Sequence, residues 1–136
     1  MEPILHLSLP VLDLAEARRF YIEALGCAPG RELPGCSDVW FYGMQLTLQE
    51  RPDQVLDDEQ RGVRHFGVTL TGDELDELLQ RVGGHPVRWL APVTIDYPGT
   101  PREQRKAKIL DPSGNAIEIK AYVDREAAFA AVSRPL

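Results

Sequence analysis

The stretch His65-Phe66-Gly67-Val68-Thr69-Leu70 decides the fold, because it restarts a pattern already run once from His6-Leu7-Ser8-Leu9-Pro10. Phe66, Val68 and Leu70 alternate with His65, Gly67 and Thr69, the period of two that marks a half-buried strand. In the earlier copy Leu5, Leu7 and Leu9 share one face and Ile4, His6 and Ser8 the other, with Pro10 expected to end the strand. Each opening strand is followed by a helix signal. Asp13 with Glu16 has capping-box spacing ahead of an apolar stripe of Leu14, Ala17, Phe20, Tyr21, Ala24 and Leu25, and Gly26 stands where a helix end needs positive φ. In the second copy Leu75, Leu78, Leu79 and Val82 give a helix over about 73–82, stopped by Gly83-Gly84.

Short strands complete each copy. The first has candidates near 27–33, 37–42 and 44–49, with Gly35 and Gly43 in the turns. The second has strands near 86–91 and 104–110 and a closing strand with Ile117 and Ile119 on one face and Ala116, Glu118 and Lys120 on the other. Asp111-Pro112-Ser113-Gly114-Asn115 is a strong turn signal before that last strand. The expectation is one α+β domain of two βαβββ modules, at about 4–50 and 63–122, forming a curved mixed sheet with helices on its outer face. A polar linker at 51–62 joins them, and a tail at 123–136, Ala-rich from Asp124, reads as a short edge helix.

Bulk properties narrow the function. The 136 residues carry 15 basic and 21 acidic side chains, a net charge of −6 that gives nucleic-acid binding no electrostatic support. No apolar run nears the ~20 residues of a membrane span. The N-terminus shows no basic segment followed by an apolar core, so a cytoplasmic protein is expected, with Cys27 and Cys36 as reduced thiols.

Against that background three residues stand out. His6 and His65 occupy equivalent places on the polar faces of the two opening strands, and Glu118 lies on the matching face of the last strand. Two imidazoles and a carboxylate suit a divalent ion that keeps positions open for substrate; Fe²⁺, Mn²⁺, Ni²⁺ and Zn²⁺ all fit the set. Aligning the closing strands on Gly43 and Gly114 puts Thr47 opposite Glu118.

The ordered set resembles the vicinal oxygen chelate superfamily of glyoxalases, extradiol dioxygenases, fosfomycin-resistance enzymes and bleomycin-binding proteins. It comprises His6-Leu-Ser-Leu-Pro-Val-Leu-Asp-Leu, Phe20-Tyr21, Leu25-Gly26, His65-Phe-Gly-Val and Leu110-Asp-Pro-Ser-Gly-Asn-Ala-Ile-Glu118, spread over about 4–122. The resemblance implies paired modules curved around one metal, a small-molecule substrate chelated through vicinal oxygens, and a homodimer, with each site in some members built from both chains. It also implies that His6, His65 and Glu118 are the ligands. Glyoxalases of this family carry a fourth ligand, usually Glu, where Thr47 stands here; its absence weakens that assignment and leaves Fe²⁺-dependent dioxygenase chemistry as first expectation. A lyase, isomerase or thiol transferase is the alternative, and a non-catalytic antibiotic-binding protein is the reading from another class.

Further substrate-binding candidates follow from position. Ser8 and Thr69 lie one strand period from the histidines, as support for a ligand or as plain pocket lining. Gln49 shares a face with Thr47 and Gln45. The Pro- and Gly-rich segment from Thr94 to Arg105 reads as a lid or a solvated loop, offering Tyr97, Arg102 and Gln104. Lys108 alternates with Lys106 on the seventh strand, either in the pocket or on an exposed edge. Trp40 and Tyr42 share a face of the third strand, Trp89 reads as core, and His85 as a turn residue.

Overall fold

The computed structural model describes residues 1–130, so the last six residues of the expected tail lie outside the described part. Each half repeats the order strand, helix, three strands. The first has β1 (His6–Val11), α1 (Leu14–Arg19, continued by a π-helical turn over Phe20–Ala24), β2 (Ala28–Leu33), β3 (Cys36–Phe41) and β4 (Met44–Glu50). The second has β5 (Phe66–Leu70), α3 (Gly72–Gly83), β6 (Arg88–Asp96), β7 (Gln104–Leu110) and β8 (Ala116–Tyr122), with α2 (Asp58–Arg61) between the halves and α4 (Arg125–Ala130) after them. The strand orders are β1-β4-β3-β2 and β5-β8-β7-β6, each with its opening strand parallel to its closing one. This is the paired βαβββ architecture.

The apolar faces of both sheets and both long helices meet in one core. Tyr21, Val39, Leu46 and Leu48 from the first half join Leu75, Val82, Ile109, Ile117 and Ile119 from the second, all essentially solvent-free. Burying each of the aliphatic ones contributes about 1.5–3 kcal/mol. Phe41 and Phe66 meet edge to face across the halves, centroids 5.2 Å apart.

The Asp111–Asn115 turn fastens the halves together. Asp111 is fully buried; one carboxylate oxygen accepts from the Ser113 and Asn115 amides, the other from the Asn115 side chain and the Tyr21 hydroxyl at 2.8 Å. Asn115 Nδ2 also donates to the Pro10 carbonyl, and the Leu12 amide to Ser113 Oγ. Burial still outweighs these bonds and pushes the Asp111 carboxyl above its usual range.

Several expectations are corrected. Pro10 does not end β1, which continues to Val11; β1 is an edge strand, and the proline nitrogen faces away from β4. The linker is partly structured, since Asp57 and Gln60 form a reciprocal capping box on α2. The α3 helix begins one residue earlier, under a Thr71–Glu74 box. The segment Thr94–Arg105 is mostly strand: β6 runs to Asp96 past two register shifts and β7 starts at Gln104, leaving a short tip at 97–103. Trp89 is not core; with Leu90, Val93 and Ile95 it lies exposed on edge strand β6. Both cysteines are free, and burial pushes the Cys27 thiol up to about 12. No helix among the described residues is long and apolar enough to cross a membrane.

Candidate metal centre

With the leucines, valines and isoleucines turned toward the helices, each sheet turns its polar positions to the opposite face. On the second sheet that face carries His65, just ahead of β5, and Glu118 on β8. His65 Nε2 stands 3.9 Å from Glu118 Oε2. Two donors each about 2.1 Å from one ion stand about 3.0–3.4 Å apart at octahedral or tetrahedral angles, so a side-chain shift of about 0.5–0.9 Å brings this pair onto one ion. The imidazole is also set for the role. Its Nδ1 lies 2.7 Å from the Val63 carbonyl oxygen, which only accepts; in the neutral ring the proton is therefore on Nδ1 and the Nε2 lone pair is free. The donor set fits a divalent ion.

His6 is held the same way, its Nδ1 3.1 Å from the Gln45 carbonyl oxygen. It does not join the pair within one chain: among the described residues no three His, Cys, Asp or Glu side chains are grouped closely enough to hold an ion. His6 opens the first sheet, on which α1 packs, and the His65–Glu118 pair lies on the second, on which α3 packs. Ile4 and Leu5, beside His6, are 55% and 75% exposed.

The cup around His65 and Glu118 has a volume of about 260 Å³ and is lined also by Gly67, Thr69 and Lys120. Lys108 Nζ lies 3.8 Å and Lys120 Nζ 3.7 Å from the Glu118 carboxylate, beyond hydrogen-bond length. Gly67 is pressed against Glu118: a Cβ there would come within 1.9 Å of the Glu118 carbonyl oxygen. His65 borders a second cavity of about 400 Å³ between the halves, walled by Leu7, Leu9, Leu56 and Phe66, which offers no carboxylate.

The first sheet's polar face is built differently. Thr47 is buried and its hydroxyl donates to Asp38 Oδ1 at 2.7 Å. Asp38 Oδ2 accepts from Arg31 Nε at 2.6 Å and from Gln45 Nε2 at 3.2 Å. The Arg31 guanidinium, with the Thr47 and Gln45 donors, holds the Asp38 carboxyl down at about 2. Sequence reasoning missed Asp38, whose position on β3 gives no local signal of what it meets.

The other candidates scatter. Ser8 Oγ accepts from Gln49 Nε2. Thr69 faces the cup, and its carbonyl accepts from Arg125. Gln104 is buried at the start of β7, opposite Tyr122 in register. Arg102 stacks on Tyr97 at 5.0 Å on the exposed 97–103 tip, so those two meet each other. His85 lines a separate cleft with Glu16, Arg19 and Phe20.

Comparison with known proteins agrees with this architecture. A glyoxalase/bleomycin resistance protein/dioxygenase from Alicyclobacillus acidocaldarius is 28% identical, with 92% of this chain and 95% of that one covered at a TM-score of 0.82. The fosfomycin resistance protein FosX from Listeria monocytogenes shares the fold at 18% identity, with 94% and 98% covered and a TM-score of 0.75; its E126Q mutant has been solved with Mn(II) and 1S,2S-dihydroxypropylphosphonic acid. A protein of the same description from Nocardioides is 24% identical, with 92% and 86% covered at a TM-score of 0.66. Residues 3–119 match the profile of the Glyoxalase/Bleomycin resistance protein/Dioxygenase superfamily, and the chain belongs to that superfamily.

Proposed function

We propose that this protein is a divalent-metal enzyme whose centre is shared between two copies of the chain, His65 and Glu118 from one and His6 of the partner subunit. The observation that carries this is the matched preparation of two histidines that one chain keeps apart. Each gives Nδ1 to a backbone carbonyl and leaves Nε2 free, and only one has a carboxylate beside it. The exposed Ile4 and Leu5 next to His6 favour a covered edge there.

An ion held by this set would supply Lewis acidity toward the vicinal oxygens of a small substrate. The chain's own part is to fix both imidazoles, to hold Glu118 against Gly67, and to orient substrate with the polar residues of the cup. Two reaction classes use such a centre. Ring-cleaving dioxygenation with Fe²⁺ fits the two-His, one-carboxylate set. A lyase, isomerase or thiol transferase using Mn²⁺, Ni²⁺ or Zn²⁺ is favoured by the two lysines facing Glu118 and by the remoteness of His85.

Elemental analysis of protein purified without chelators tests the centre. About one ion per chain is expected, and none in His6→Ala, His65→Ala or Glu118→Ala. Tag-selected mixed dimers of His6→Ala with His65→Ala restore one intact site, so about one ion per two chains is expected there. Metal-free mixed dimers would place all three ligands in one chain. Wild-type protein that takes up no Fe²⁺, Mn²⁺, Ni²⁺ or Zn²⁺ would make it a non-catalytic binder. Iron with substrate-dependent oxygen uptake would select the dioxygenase.

A further inference from the structure

Among the buried side-chain polar atoms of the described residues, one has no hydrogen-bond partner: Nε of Arg61. The two buried carboxylates, Asp38 and Asp111, each collect several donors, so this chain otherwise satisfies its interior. Arg61 is 6% exposed and ends α2, the short helix between the halves. Its Nη1 makes both hydrogen bonds of the guanidinium, to Asp58 Oδ1 at 2.8 Å and to the Gly114 carbonyl oxygen at 2.9 Å. The Asp58 side chain is 76% exposed, so water screens it and it offsets little of the buried charge. Among the described residues the Nε–Nη2 edge has no acceptor.

That guanidinium lines the cavity of about 400 Å³ between the halves. Arg64 lines it too, its Nη1 donating to the Gln60 and Arg61 carbonyls, and no carboxylate stands in the wall. Most of the remaining wall is hydrocarbon, from Leu7 and Leu9 of β1, Leu56 before α2 and Phe66 of β5. His65 borders both this cavity and the metal cup, but the cup's Gly67, Glu118 and Lys120 take no part here. Small-molecule sites have this size and join apolar walls to a few fixed polar groups. The free edge of a guanidinium matches a carboxylate through two parallel hydrogen bonds, and the apolar walls favour a hydrocarbon body. We propose that the cavity is a second ligand site, for an amphipathic monocarboxylate. Its carboxylate sits on Arg61 and Arg64, and its hydrocarbon body lies against Leu7, Leu9, Leu56 and Phe66. The site needs no metal and stands whether or not His65 and Glu118 hold one.

The test uses full-length protein stripped of metal by a chelator and titrated calorimetrically with hexanoate, octanoate, 1-octanol and octylammonium. Octanoate is expected to bind once per chain, about tenfold tighter than hexanoate, the gain from two further buried methylenes. Octanol has the same body without the charge and is expected to bind about tenfold more weakly than octanoate. Octylammonium, with the wrong charge, is expected not to bind. Arg61→Met should bring octanoate down to the level of octanol. Leu56→Trp puts an indole in the cavity, keeps both arginines, and should weaken both ligands at least tenfold. Unfolding temperatures report whether each variant is folded, and Leu56→Trp decides alone if Arg61→Met is not. Lys120→Met, on the cup, should leave octanoate affinity unchanged. Octanoate no tighter than octanol, affinity that survives Leu56→Trp, or affinity lost in Lys120→Met would each overturn the proposal. Binding of none of the four probes would assign the Arg61 edge to ordered water and overturn it as well.

Discussion

The two modules are written on one register and place opposite chemistry on it. Ser8 faces Thr47 across β1 and β4, and Gly67 faces Glu118 across β5 and β8. On the other flank, Asp38 faces Thr47 and Lys108 faces Glu118. In the first module these positions form a closed network, with Arg31, Gln45 and Thr47 all donating to one buried carboxylate. In the second, a carboxylate has three nitrogens between 3.7 and 3.9 Å and a hydrogen bond to none. The first module has used its polar groups to hold itself together. The second has left them available to a ligand.

Exchanging equivalent residues breaks the comparison where it is sharpest. Gly67→Ala drives a Cβ into the Glu118 backbone and is expected to cost about 3 kcal/mol, at the upper end of overpacking effects, and to displace the Glu118 carboxylate. Ser8→Gly, the reverse change at the matching place, loses a surface hydrogen bond and some backbone order, about 1 kcal/mol. Urea denaturation of the two variants reads the difference; equal losses would show that the strands approach alike in both modules.

Asp38→Asn comes next. It removes the charge that three donors converge on and is expected to cost about 2 kcal/mol with metal content unchanged. The sign with pH is fixed. The Asp38 carboxyl is held at about 2, below its ordinary value, so its stabilisation is complete above about pH 4 and disappears as pH falls through about 2. The stability gap between wild type and Asp38→Asn should therefore close across that window. A gap unchanged at pH 2 would mean that shape, not charge, holds the network.

Tyr21→Phe probes the joint between the modules, removing one of the donors to buried Asp111; about 1 kcal/mol and a lower unfolding temperature are expected. The smallest effect belongs to Pro10→Thr, which gives the first edge strand the residue that Thr69 provides in the second. The new amide points away from β4, so thermal unfolding should shift by no more than about 0.5 kcal/mol equivalent.

Much of this was legible in the sequence because it is local. Alternation of Leu7 and Leu9 and of Phe66, Val68 and Leu70 gave the opening strands and their faces, while Leu5, expected to turn inward with them, lies ahead of β1 and exposed; Asp13, Gly26 and the Asp111–Asn115 turn marked real boundaries. The short α2 helix had a readable Asp57–Gln60 box but too few residues for a periodic stripe. Strand β6 outran its expected end because its register shifts break alternation between Trp89 and Thr94. The site divided along the same line. Which residues face the polar side is a two-residue question, and His6, His65 and Glu118 answer it. His65 meets Glu118 within one module, through the β5–β8 register, whereas His6's separation from them depends on how the modules dock, and no spacing in the chain encodes that.

The fastening of the halves also sets a clock on the protein's birth. The acceptor for the Tyr21 hydroxyl is 90 residues downstream, the acceptor for the Leu12 amide 101 residues downstream, and the donor to the Pro10 carbonyl 105 residues downstream. At about 5–20 residues per second, a ribosome takes roughly 5–20 s to deliver Asp111 after Tyr21 has been made. Once Glu50 has been made, within that interval, the first module's strands are complete while the joint to the second half is still missing, so the nascent chain depends on the second half arriving before another molecule does.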